Sequence, residues 1–76
     1  MKYLVVELQT FESGAMTSPA YAYDTQLEAE AKYHAILSSA AVSKLPTHAA
    51  VLLQNDGIVL ASKCYTHEPE GETEDA

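Results

Sequence analysis

The 76-residue chain is predicted to form a single α+β domain with the element order ββαββ, an antiparallel four-stranded sheet with one helix packed on one face. Three observations predict this fold. The chain opens on a strand-like apolar segment, its middle is alanine-rich with a helix-start signal, and two more strand-like segments joined by a turn signal follow. A domain of this size buries only ~60% of the surface that its unfolded chain exposes, so we expect marginal stability.

The first two strands are predicted on either side of a turn-rich segment. Residues 2–11 (KYLVVELQTF) combine β-branched and aromatic residues with partial alternation of apolar and polar side chains. Residues 12–19 (ESGAMTSP) break this pattern, and residues 20–24 (AYAYD) alternate small and aromatic side chains. We expect the second strand to return antiparallel to the first.

The helix has the clearest local signal in the chain. Thr25 lies three residues before Glu28, the spacing of a capping box. The alanine-rich segment that follows is predicted to be helical to about Ser43, because Pro46 forbids continuation, and Glu28 is spaced to pair with Lys32. The helix stripe predicted to contact the sheet consists of Ala29, Tyr33, Ile36, Leu37 and Ala40.

Residues 47–54 (THAAVLLQ) and 58–66 (IVLASKCYT) are predicted as a hairpin. A type I′ turn at Asp56-Gly57 gives one register, and a three-residue loop with Gly57 in the left-handed conformation gives the competing one. We adopt the first because it gathers apolar side chains on one face. It opposes Leu53 to Leu60, Val51 to Ser62 and Ala49 to Cys64.

Both faces of the predicted sheet are apolar, which is more than one helix can cover. We expect the helix to cover the face formed by Leu4, Val6, Leu8, Val51, Leu53 and Leu60. The uncovered face is predicted to be the interface of a homodimer or a dimer of dimers. Its residues are Tyr3, Val5, Leu52, Val59 and Tyr65. The back of the helix is a weaker candidate, since its stripe is small-residued: Leu27, Ala31, Ala35 and Ser38.

Cys64 and His67 raise the question of a nucleophile with its base, or of a metal site. Alternation predicts that Cys64 points to the helix-covered core, that His67 points to the opposite face, and that His48 lies opposite Tyr65 on that outer face. The chain has no CxxC or HExxH spacing, so no metal site is expected. We interpret Cys64 as a small buried hydrophobe rather than a reactive thiol, and His34 as a partly buried histidine rather than a catalytic base.

Composition disfavours several other classes of function. Four lysines without arginine give no basic stripe for nucleic acid, and three dispersed glycines give no phosphate-binding loop. The acids of the body are scattered, so no catalytic pair, no cofactor site and no enzyme activity are expected. The net charge of −7 is concentrated in residues 68–76 (EPEGETEDA), predicted to be a disordered solubilising tail, with attraction of a basic partner as the alternative.

The sequence also bears on location. A single cysteine excludes an internal disulfide, which favours a reducing compartment. The opening MKYLVVEL has too short an apolar run for a signal peptide or a membrane span. We therefore expect a cytoplasmic protein without a membrane partner.

Three strings, AYDTQLEAEAKYHAILSSAAVS, THAAVLLQNDG and KCYTHEPE, resemble those of a group of short uncharacterised proteins encoded in phages and prophages of Gram-positive gut bacteria. The resemblance spans most of residues 1–67 and transfers no site residues. It implies an accessory protein acting inside an infected or lysogenic cell. Two hypotheses follow: a non-enzymatic, homo-oligomeric interaction protein with a structural or regulatory role, or an inhibitor of a bacterial anti-phage defence system that binds a host protein or sequesters a nucleotide signal.

Overall fold

A computed structural model describes residues 2–67 and shows one helix packed on an antiparallel sheet, which confirms the predicted α+β class. The predicted tail, residues 68–76, lies outside the described residues. The strand order across the sheet is β2-β1-β4-β5, and β3 pairs with β1. The elements in chain order are β1 (Tyr3–Thr10), β2 (Met16–Thr17), β3 (Ala20–Tyr23), α1 (Gln26–Val42), β4 (Thr47–Gln54) and β5 (Val59–Thr66).

The short strand β2 was not predicted, and together with β3 it forms one interrupted edge of the sheet. Both segments pair with β1 at the same register offset. Between them, the Glu7 N–H donates to the carbonyl of Pro19 at 2.9 Å, but Pro19 has no N–H with which to return the bond. The sheet is therefore four strands wide, as predicted, and its first edge strand is interrupted at Pro19 to give β2 and β3.

The helix begins and ends where the sequence predicts. The Thr25 hydroxyl oxygen accepts a hydrogen bond from the Glu28 N–H at 3.2 Å, and Ser43 is the C-terminal cap. The Lys32 ammonium lies 4.2 Å from the ring centroid of Tyr21 rather than beside Glu28, so a cation–π contact with β3 replaces the predicted ion pair. The helix thus contacts the edge strand as well as the centre of the sheet.

The β4–β5 turn follows the alternative that we did not adopt. Gly57 has a φ of 94°, and among the described residues only glycines have positive φ, which excludes a type I′ turn at Asp56-Gly57. The Gln54 N–H donates to the Ile58 carbonyl at 2.9 Å, which closes a three-residue loop, and the Asp56 carboxylate accepts the Ile58 N–H at 3.1 Å. Near the turn, the pairing is therefore one residue out of the predicted register.

A β-bulge then restores the predicted register. Leu53 pairs with Val59, whereas Leu52 pairs with Ala61, so Leu60 is the extra residue on β5. The predicted opposition of Leu53 to Leu60 is wrong. The other two predicted pairs are confirmed: Val51 with Ser62 and Ala49 with Cys64.

The helix covers the sheet face opposite to the one that we predicted. The predicted helix stripe is confirmed, but its sheet partners include Val5 and Leu52, which are only 0% and 2% exposed. The core cluster consists of Val5, Ala29, Tyr33, Ile36, Ala50 and Leu52, with Tyr3, Tyr21, Tyr23, Leu37 and Ala61 packed around it.

The reversal has a physical reason in the size of the helix. One helix about 10 Å wide covers only the middle of a sheet about 20 Å wide, so the margins of the covered face remain near water. Tyrosines and polar side chains suit such margins because they bury an apolar body and keep a polar end hydrated. All five tyrosines lie on the helix side, four on strands and one on the helix: Tyr3, Tyr21, Tyr23, Tyr65 and Tyr33.

Candidate functional site

The face of the sheet away from the helix is apolar and carries no other element among the described residues. Its side chains are identified by alternation from the buried residues of the covered face and by the strand pairing. We call it the open sheet face. Its central residues are Leu4, Val6, Leu8, Val51 and Leu53, and around them lie Thr10, Met16, Ala20, Ala22, Thr47, Ala49, Val59, Ser62, Cys64 and Thr66.

No charged side chain of the described strands belongs to the open sheet face. The charged strand residues, Glu7 and Lys63, lie on the helix side, where each has a partner. The Glu7 carboxylate contacts His48 at 2.6 Å, and the Lys63 ammonium lies 5.1 Å from the ring centroid of Tyr65. Charge is therefore segregated to one side of the sheet, and the other side offers aliphatic groups with a few hydroxyls.

One corner of the open sheet face is concave, with a volume of about 440 Å³. Residues of β1, β2, β4 and β5 line it, among them Leu8, Met16, Val51 and Cys64. Cys64 is exposed there, so our placement of this thiol in the helix-covered core is wrong. This error follows from the wrong prediction of which sheet face the helix covers, because Cys64 pairs with Ala49 and shares its face.

The structure places only one of the five predicted interface residues on the open sheet face. Val59 is 55% exposed and pairs with Leu53, and the bulge at Leu60 gives Val59 this position. The other four lie on the helix side: Tyr3, Val5, Leu52 and Tyr65. The pattern of β1 favours the opposite assignment, because Glu7 and Gln9 share a face with Val5, whereas the alternate positions from Leu4 to Leu8 are uniformly aliphatic.

His48 is buried on the helix side, contrary to the predicted outer position, although its pairing with Tyr65 is confirmed. Its side chain connects three elements. Nδ1 lies 3.0 Å from the Ser43 hydroxyl at the end of the helix, and Nε2 lies 2.6 Å from the Glu7 carboxylate on β1. An ionised carboxylate only accepts hydrogen bonds, so Nε2 carries the proton in this contact.

The Ser43–His48–Glu7 arrangement resembles a nucleophile, base and acid in its contacts, but its surroundings do not suit acyl transfer. An oxyanion requires hydrogen-bond donors aimed at the developing charge. Ser43 caps the C-terminus of α1, where carbonyl groups and the negative end of the helix dipole face outward. We interpret the cluster as a structural link between β1, β4 and the helix end.

The other two histidines lie on the helix side, where His67 is half-buried. The His67 Nε2 donates to the carbonyl of Ala40 at 2.9 Å, which joins the end of β5 to the last turn of the helix. Cys64 and His67 diverge, as predicted, because they belong to opposite sides of the sheet. His34 is exposed rather than partly buried, and its ring contacts Tyr33 edge-on at 5.3 Å between centroids.

Two titratable groups within the described part of the chain have shifted pKa values. Burial, followed by the neighbouring Tyr65, raises the pKa of the Tyr33 phenol. The hydrogen bond and charge of Lys2 lower the pKa of Asp24 at the exposed margin of the sheet. Both shifts arise from packing or pairing, and neither group faces the concave corner.

Within residues 2–67, no three acidic, histidine or cysteine side chains come close enough together to hold a metal ion. No helix of this part of the chain combines the length and apolar character needed to cross a bilayer. Comparison with known proteins gives no match to a family model, to a curated protein or to a solved structure.

Proposed function

We propose that the chain is a non-enzymatic interaction protein whose open sheet face packs against the same face of a second copy. The observation that carries the proposal is an uncharged aliphatic surface centred on Val6 and Val51, opposite a helix-covered face that holds the charged strand residues. Contiguous apolar surface of this kind marks an interface in soluble proteins. The role that this assembly serves is structural or regulatory, in the phage-infected or lysogenic cell that the sequence resemblance implies.

The size of the face suits a specific interface. Four strand positions about 4.8 Å apart, each about eight residues long at ~3.3 Å per residue, give a flat area of roughly 500 Å². Two such faces bury roughly 1,000 Å² in total, which reaches the lower limit for a specific interface. An apolar patch of roughly 500 Å² is also near the upper end of those found on monomers.

A second copy suits this face better than a charged partner does. A twofold interface brings two identical patches together, so a charge near the centre of the patch would lie close to the same charge of the other copy. The central residues are aliphatic and only partly shielded by one another, while Met16 and Val59 at the margins are 65% and 55% exposed. Packing two such layers removes apolar surface from water without desolvating an ion.

The test is the mass of the assembly after a charge is placed at the centre of the face. Val51→Glu should halve the mass measured by sedimentation equilibrium while the far-ultraviolet circular dichroism is retained. Ala35→Glu, on the exposed back of the helix, is the matched control and should keep the wild-type mass. Val51→Thr, which keeps the shape and the strand preference of valine, should weaken association without unfolding the chain.

Two results would overturn the proposal. One is a monomeric wild type at concentrations of tens of micromolar, and the other is a Val51→Glu variant that retains the full mass. A loss of mass in Ala35→Glu alone would assign the interface to the helix back instead.

The defence-inhibitor alternative receives uneven support. Sequestering a nucleotide on the open sheet face is disfavoured because the strand residues there provide no positive charge for a phosphate group. Occupying a host protein would use the same aliphatic surface. Affinity capture from lysate separates the two cases, since a host protein recovered in stoichiometric amount and lost in Val51→Glu would favour the alternative.

A further inference from the structure

The two edges of the sheet differ in a way that identifies a second contact surface. The edge formed by β2 and β3 is interrupted at Pro19. The other edge is β5, which runs for eight residues without proline from Val59 to Thr66. An exposed strand edge presents free N–H and C=O groups that can pair with another strand, and proteins usually interrupt or cover such edges.

The free backbone groups of β5 can be assigned from the ladder. The His67 N–H donates to the carbonyl of Pro46 at 3.0 Å, and hydrogen-bonded pairs in an antiparallel ladder recur at every second residue. Ala61, Lys63 and Tyr65 therefore direct their backbone groups to β4. The outward-facing N–H and C=O groups are those of Ser62, Cys64 and Thr66.

We propose that β5 pairs antiparallel with β5 of a second copy around a twofold axis at Cys64. The bulge at Leu60 confines regular strand geometry to the stretch from Ala61 to Thr66. An axis at Lys63 would place two like charges directly opposite each other, which is unfavourable. An axis at Ser62 would bring the bulge into the new ladder, whereas an axis at Cys64 avoids both.

Pairing about Cys64 also matches side chains. Ser62 faces the partner's Thr66 on one side of the sheet, and Lys63 faces the partner's Tyr65 on the other. Within one chain, the Lys63 ammonium lies 5.1 Å from the Tyr65 ring centroid. In the paired strands, Lys63 of each copy can make the same cation–π contact with Tyr65 of the other copy. The two concave corners, each lined in part by Ser62 and Cys64, become neighbours across the axis.

This contact is separate from the packing of the open sheet faces. Edge pairing extends the sheet sideways to eight strand positions with both helices on one side, and it leaves the open faces on the other side. Face packing of two such units yields a dimer of dimers. Edge pairing through β5 can therefore be tested in a protein whose open sheet faces do not pack, and face packing can be tested without edge pairing.

Amide hydrogen exchange of the wild-type protein provides the first test. Paired edge amides at Ser62, Cys64 and Thr66 should exchange at least 100-fold more slowly than outward amides of the opposite edge, and dilution should remove this protection. Ala20 and Ala22 are the matched controls, because the ladder directs the amides of β3 at even positions away from β1. Protection should persist in Val51→Glu, which disrupts only the faces. Exchange at the rate of Ala20 and Ala22 would overturn the proposal.

Disulfide trapping tests the register. In a Cys64→Ser background, Ser62→Cys combined with Thr66→Cys should give a covalent dimer on mild oxidation, because these positions face each other across the axis. Either single replacement places its thiols about four residues apart along the strand direction, roughly 13 Å, and should give little dimer. Equal yields in the single and double variants would contradict the Cys64 register.

Discussion

Removing the Glu7 carboxylate should destabilise the fold by about 1–3 kcal/mol, because it leaves a buried histidine donor without its acceptor. His48 is only 4% exposed, and Glu7 holds its Nε2 at 2.6 Å. The Glu7 side chain is itself only 17% exposed, which limits the access of water to the histidine after the carboxylate is removed. For a small domain, such a loss is a large fraction of the free energy of unfolding.

Urea unfolding followed by circular dichroism measures this effect, with Glu12→Ala as the control, since Glu12 is an exposed acid in the β1–β2 loop. Glu12→Ala should change the free energy of unfolding by less than about 0.5 kcal/mol. In a double-mutant cycle, adding His48→Phe to Glu7→Ala should recover part of the loss, because the unpaired donor is gone. A Glu7→Ala variant as stable as wild type would refute the structural interpretation of the cluster.

Two further predictions concern the helix. Thr25→Ala removes the acceptor for the Glu28 N–H and should lower the free energy of unfolding by ~1 kcal/mol, whereas Thr25→Ser should retain most of it; equal urea midpoints for the two variants would mean that the cap contributes nothing. Because the pKa of Tyr33 is raised in the folded state, the unfolded chain releases this proton first, so the contribution of Tyr33 to stability should be constant below about pH 10 and should fall as pH rises from there through the folded-state pKa. Tyr33→Phe should remove this part of the decline, and identical pH profiles of the urea midpoint in wild type and variant would contradict it.

Elements with a local chemical signal could be predicted from the sequence. The cap at Thr25 depends on groups three residues apart, and the buried helix stripe depends on a period within one segment. The face of the sheet that the helix covers depends on a comparison between two apolar layers. Glu7 and His48 lie on the covered face and contact each other only after β1 and β4 have paired, which no local pattern encodes.

The hairpin shows a different limit. Asp56-Gly57 suits two loop lengths, and the residue that reconciles them is Leu60, three positions beyond the glycine. An apolar run such as Ile58 to Leu60 has no alternation from which a bulge can be located. Both errors affect the predicted interface. Its residues, taken by alternation along the strands, come from the face that the helix in fact covers, and only Val59 lies on the open sheet face.

The distribution of tyrosines determines what optical spectroscopy can detect in this protein. The chain has no tryptophan, and all five tyrosines lie on the helix side, so intrinsic ultraviolet emission arises there alone. Loss of the helix from the sheet will change this emission, whereas contact between two open sheet faces brings no fluorophore into a new environment. Tyrosine fluorescence therefore reports folding separately from assembly at the open sheet face, and a single dilution series can record the first while sedimentation records the second.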